Sequence, residues 1–182
     1  MLVIYDLDKT SLYCPIADFM DKFIPKNKFL KQLYYKLYPI VHILEMKLGL
    51  LKINDEIYNR AKIYKDEFNA RQCVVTARHR SYSTKLHIKK VFRDIEMPCL
   101  CVAQGLTNLT KAEVIQGMIP IDPKEEIIMY DDNFNELMYM DALFKDQFTG
   151  LLVEYDGIKE KVTHAYWFTT NTTKSIWTDK AC

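Results

Sequence analysis

Five short apolar runs constrain this chain more than any other feature: Leu2–Tyr5, Gln72–Val75, Cys99–Ala103, Glu126–Tyr130 and Gly150–Tyr155. Helical patterns lie between the later ones, near Ser83–Phe92, Lys111–Met118 and Asn135–Phe144. A continuous apolar strand such as Leu2–Tyr5 has no face to offer water, so it suits the centre of a parallel sheet covered on both sides. Strands alternating with helices predict an α/β fold, a Rossmann-like doubly wound parallel sheet. Sheets of this kind gather ligands beyond the carboxyl ends of their strands.

Positions 16–69 break the alternation and read as helix, which divides the chain into a core (1–15 and 70–182) and a helical insertion after the first strand. Leu30, Tyr34, Leu37, Val41, Leu44, Leu48 and Leu51 recur at steps of four and three, a single helical stripe expected to pack inward. Pro39 is expected to kink or divide that helix, and Gly49 to weaken it. Asn54 suits the N-cap of a second helix running to about Phe68. Beyond Tyr155, Asp156-Gly157 reads as a turn and Thr169–Thr173 as loop.

The 182 residues fit one domain with an insertion, and a 49% apolar content supports an ordinary core. A net charge of +1 gives bulk electrostatics no reason to seek nucleic acid or a membrane. Leu37–Leu51 is interrupted by His42, Glu45 and Lys47 and is no membrane span, and Asp6 and Asp8 interrupt the first apolar run too soon for a signal peptide. Five cysteines without a Cys-x-x-Cys pair suggest reduced thiols and a cytoplasmic setting. Cys99 and Cys101, two apart on a strand, should share one face as core thiols.

Four segments carry chemistry. Asp6-Leu7-Asp8-Lys9-Thr10 follows the first strand, so one carboxylate can ligate a metal and attack while the other handles a proton. Thr76, in Val74-Val75-Thr76-Ala77-Arg78, places a hydroxyl after a buried strand. Lys111 opens a helix whose N-terminus itself favours an anion. Tyr130-Asp131-Asp132-Asn133 adds oxygen ligands for a hard cation after another apolar strand. Singly these strings are commonplace; their order and placement in one α/β chain are not.

The ordered set Asp6/Asp8/Thr10, Thr76, Lys111 and Asp131/Asp132 resembles the four motifs of the haloacid dehalogenase superfamily of phosphatases, over positions 2 to 133. The resemblance implies a magnesium-dependent phosphohydrolase acting on a phosphomonoester. Asp6 would form an aspartyl-phosphate, and Asp8 would serve as acid and then base. Thr10, Thr76 and Lys111 would bind phosphate. Asp6, the Asp8 carbonyl and Asp132 would hold Mg2+, with Asp131 one step removed. Asp8 favours phosphate esters, since dehalogenases of this superfamily lack it. Lys9 replaces the glycine usual in the family and is expected to be a solvated turn residue.

The resemblance makes 16–69 a cap that selects substrate. Ten basic and seven acidic residues leave it at net +3, with Phe29, Tyr34, Tyr35 and Tyr38 among the lysines. A phosphorylated small molecule is the expected substrate. A nucleic acid end or a membrane surface is a further possible partner, and Arg78 and Arg80 are candidates for a second phosphate. A phosphomutase and a non-catalytic scaffold are the rivals.

Overall fold

The computed structural model describes residues 1–23, 28–103, 109–153 and 167–168. Its main sheet is built from β1 (Leu2–Tyr5), β4 (Arg71–Thr76), β5 (Cys99–Cys101), β6 (Ile127–Asp131), β7 (Phe148–Leu152) and β8 (Trp167–Phe168) in the order β5-β4-β1-β6-β7-β8. The first five are parallel and β8 runs antiparallel on the β7 edge. Two short strands, β2 (Leu12–Tyr13) and β3 (Lys52–Ile53), form a separate antiparallel pair. The helices are α1 (Pro15–Asp21), α2 (Lys28–Lys47), α3 (Asp55–Asp66), α4 (Tyr82–Phe92), α5 (Lys111–Met118) and α6 (Phe134–Phe144).

The pleat of β1 explains the layering. Val3 and Tyr5 point to one face, into a cluster with Ile57 and Ala61 of α3 and Ile88, Val91 and Phe92 of α4. Leu2 and Ile4 point to the other, against Ala112, Val114 and Ile115 of α5 and Leu137 and Met140 of α6. Every residue of β1 is buried, as two covered faces require. All five expected strands and the three expected core helices form, within a few residues of the expected ends. β8 was not foreseen, and the expected turn and loop beyond Tyr155 lie outside the described residues.

The insertion divides in space. α3 falls within 16–69 by sequence, yet it packs on the sheet as a core layer, with Gln72 Nε2 donating to the Ala61 carbonyl (3.0 Å). Its N-cap is Asn54, but the side chain caps nothing; Asn54 Nδ2 donates instead to the Thr10 carbonyl (3.0 Å). α1 and α2 stand over the strand ends, α2 against α4.

α2 runs unbroken through Pro39 and stops at Gly49, whose φ of +68° and the bonds Gly49 N→Met46 O and Leu50 N→Glu45 O make a Schellman ending. The expected inward stripe is corrected in part: Leu37, Leu44 and Leu48 are 44%, 49% and 64% exposed, whereas Val41 is half-buried against the core and Leu51 is buried in it. Among the described side chains of α2, the buried ones are His42 and Glu45. Glu45 Oε1 accepts from the Ile16 and Ala17 amides (2.5 and 3.3 Å) and so caps α1, a demand that hydrophobic periodicity cannot register. Leu30 and Tyr34 have no described side chains. Cys99 and Cys101 do share a face, with Sγ atoms 3.8 Å apart, but on the edge strand they are only half-buried.

Candidate active site

Strand register assembles the site. Tyr5 pairs with Tyr130, and Asp6 N donates to the Tyr130 carbonyl (2.8 Å), so the next residues, Asp6 and Asp131, emerge side by side. Lys111, the first residue of α5, reaches between them: its Nζ lies 2.8 Å from Asp6 Oδ1 and 2.6 Å from Asp131 Oδ2. All three are buried. Asp131 Oδ1 accepts from Asn133 N (2.8 Å), so both of its oxygens are engaged. Asp132 is partly exposed and lines the cleft. Asp6, Asp131 and Asp132 each offer an oxygen within 4.8 Å of the others and form a group able to hold a metal ion.

The charges do not balance. Burial pushes the Asp6 carboxyl well above the ordinary range; Lys111 pulls it down, and Asp131, Asp132 and Asp8 push it further up. Burial, with Asp131, raises Asp132 to about 6. Lys111 is held firmly protonated despite its burial by Asp6 and Asp131. Three carboxylates around one ammonium leave negative charge that a hard cation would answer.

The loop after β1 is fixed by its own bonds: Lys9 N→Leu12 O (2.7 Å), Leu12 N→Leu7 O (2.9 Å) and Ser11 Oγ→Asp6 O (2.5 Å). Lys9 has φ +58°, the left-handed region that favours glycine. It is more than a solvated turn residue, since its Nζ pairs with Asp18 of α1 at 2.7 Å. This turn buries Thr10 completely, leaving Oγ1 without a hydrogen-bond partner among the described residues. Thr10 is therefore not placed on the cleft wall where a phosphate ligand was expected. Thr76 is also fully buried, its Oγ1 accepting from Arg78 N (3.3 Å) rather than facing the cleft.

Arg78 does line the cleft, but its donors are committed. Nε donates to Asp8 Oδ2 (2.7 Å), Nη2 to Asp8 Oδ1, and Nη1 to His87 Nδ1 (2.7 Å). Because a guanidinium only donates, His87 carries its proton on Nε2, which donates to the His42 carbonyl (3.2 Å). Burial pushes the Asp8 carboxyl up, but the charge and hydrogen bonds of Arg78 outweigh it and hold Asp8 below the usual range. Burial, reinforced by Arg78, lowers His42 to about 3 and His87 to about 4. Asp8, Cys14 and His42 also come close enough to suggest a metal group, but Arg78 already places a cation on Asp8 and, at 3.3 Å, on Cys14. Arg80 lines a different depression.

The cleft holds ≈ 510 Å³, with Asp6, Asp8, Lys111 and Asp132 on the core side and Tyr38 and His42 of α2 above. Two features were missed from the sequence. Glu136 Oε2 accepts from Lys111 N (3.0 Å), so the α5 N-terminus expected to favour a bound anion already holds a carboxylate. The helix N-terminus at the cleft is that of α4, where Ser81 accepts from Thr84 N (3.2 Å) and both residues line the wall. Serine followed three residues later by threonine is too common a string to have marked it.

No family model and no curated protein matches this chain. Among solved structures it shares its fold with a hydrolase from Pseudomonas syringae, at a TM-score of 0.60 and 12% identity, over 84% of each chain.

Proposed function

We propose that the chain is a magnesium-dependent phosphatase that hydrolyses a phosphomonoester through an aspartyl-phosphate on Asp6. The observation that carries this reading is the Asp6–Lys111–Asp131 bridge at the carboxyl ends of the two central strands, with Asp132 in the same carboxylate group. A shared fold with a hydrolase agrees with it. Mg2+ would be held by Asp6, Asp132 and the main-chain carbonyl of Asp8, with Asp131 behind them orienting Lys111. A bound magnesium ion would neutralise the carboxylates and polarise phosphoryl oxygens.

The side chains then divide the work. Lys111 opposes the burial and the neighbouring acids that push the Asp6 carboxyl up, a bound cation would add to that opposition, and Lys111 offsets the repulsion between a carboxylate and a phosphate dianion. The α4 N-terminus, with Ser81 and Thr84, offers the phosphate a positive pole. Asp8 is the candidate base that takes a proton from water when the aspartyl-phosphate is hydrolysed, a role that needs its oxygens freed from Arg78. Its earlier role as acid requires the same release, after which the carboxylate takes up a proton from solvent before giving it to the leaving oxygen. An incoming phosphate drives that exchange, because it is itself a bidentate partner for a guanidinium.

The test is hydrolysis of an aryl phosphate, and of a broad phosphoester panel, with magnesium and with chelator. Asp6→Asn should lower kcat by on the order of 10⁴-fold or more, and chelation should abolish turnover. Activity that survives Asp6→Asn excludes the mechanism. Inactivity across the panel favours a non-catalytic binding protein.

A further inference from the structure

The outward face of α2 is assigned no role by the site beneath it. The helix has apolar residues on both sides: Tyr38 and Val41 pack on the core beside the buried His42 and Glu45, its one acidic residue, while Leu33, Leu37, Ile40 and Leu44 are exposed and Leu48 extends the line past the helix end. Steps of four and three place them on one stripe, about 22 Å long from Leu33 to Leu48 at helical rise. Phe19 and Phe23, on and just after α1, are exposed as well, with ring centroids 5.0 Å apart. The described exposed charges of α2 are Lys36 and Lys47, both positive.

We propose that this face lays α2 flat on an anionic membrane surface. A contiguous apolar stripe of this length on a soluble domain marks an interaction site. Its shape is a convex rod rather than a groove, which suits a fluid interface. Its charge opposes the simplest alternative, since a second copy would set lysine-flanked helix against lysine-flanked helix with no acidic residue among the described exposed ones of α2 to answer it. An anionic bilayer meets both parts, taking the leucines into the headgroup–acyl boundary and the lysines among the phosphates. Among the described residues no helix is long and apolar enough to cross a membrane, which leaves α2 in the plane. The proposal is independent of the phosphatase reading.

The experiment is flotation of the full chain with vesicles of phosphatidylcholine alone or with about 30% phosphatidylserine, at low and high salt. Binding to the anionic vesicles at low salt is expected, weakening with salt and at least about tenfold stronger than to neutral ones. Leu37→Gln/Leu44→Gln should reduce partitioning by at least about tenfold. Lys36→Glu/Lys47→Glu should do the same on anionic vesicles only. Both pairs are at exposed positions, and unchanged circular dichroism verifies their folding. No flotation at low salt overturns the proposal, as does flotation indifferent to the leucine replacements. Sedimentation showing a dimer that Leu37→Gln/Leu44→Gln dissociates, with no vesicle binding, assigns the stripe to self-association and overturns it too.

Discussion

β1 and α2 are both apolar segments that meet the same cleft, and they use hydrophobicity in opposite ways. In β1 every residue is buried and the chemistry begins at the first polar position, Asp6. In α2 the polar residues His42 and Glu45 go inward and Leu33, Leu37 and Leu44 face out. The difference lies in what each segment packs against. β1 is enclosed by two helical layers that need only apolar contact. α2 stands over a charged loop and a capless helix, which need hydrogen-bond partners more than they need leucines.

The largest effect that tests this contrast is expected at the ends of the sheet. Lys111→Met leaves Asp6 and Asp131 buried together without a counter-charge and should cost about 3–5 kcal/mol in urea unfolding, besides activity. Added magnesium should recover part of the stability; a loss under about 1 kcal/mol would mean the bridge is not buried as described. Ile4→Ala, in the middle of β1, should cost about 2–5 kcal/mol.

The seam between the regions should show in acid. His42 and His87 are pushed down to about 3 and 4 by burial and by Arg78, whereas the unfolded histidines titrate near 6.5. The unfolded state therefore takes up protons first as pH falls. Their stabilising contribution is complete above about 6.5 and is lost on descent toward 4 and 3, at up to about 1.4 kcal/mol per pH unit for each histidine. Asp132, raised to about 6, takes a proton in the folded state first and works the opposite way from about 6 downward. The histidine share is thus read from the difference between wild type and His87→Gln, which should have the shallower acid slope. Equal slopes would remove His87 from the account.

The smallest effect is expected on the outer stripe: Leu44→Gln should change stability by less than about 0.5 kcal/mol. A core-sized cost there would erase the contrast between β1 and α2.

These expectations show where the sequence was legible. Buried strands announce themselves by composition, so β1, β4 and β6 could be placed, and parallel pairing then brought Asp6, Asp131 and Lys111 together from far-apart positions. The cap was legible as helix but not as to which side faces in, because periodicity assumes that leucine seeks the core. Glu45 reverses this by capping α1, and nothing in its local string says so. Thr10 and Thr76 carried the right residue types at the right strand ends, but whether a hydroxyl faces a cleft depends on the turn. Lys9 shows this well: a lysine held in a glycine-like conformation turns Thr10 inward and fastens the loop to α1. The tie from Glu136 to the α5 N-terminus joins residues 25 apart and has no local signature.

His42 sits between Ile40 and Leu44 on the same turn of α2, so the roof of the cleft and the outer stripe are two sides of one short rod. Neither side can shift without the other. A fluorophore at the exposed position of Leu44 would for that reason report from outside on any displacement of the chamber's roof, without touching a group that reacts.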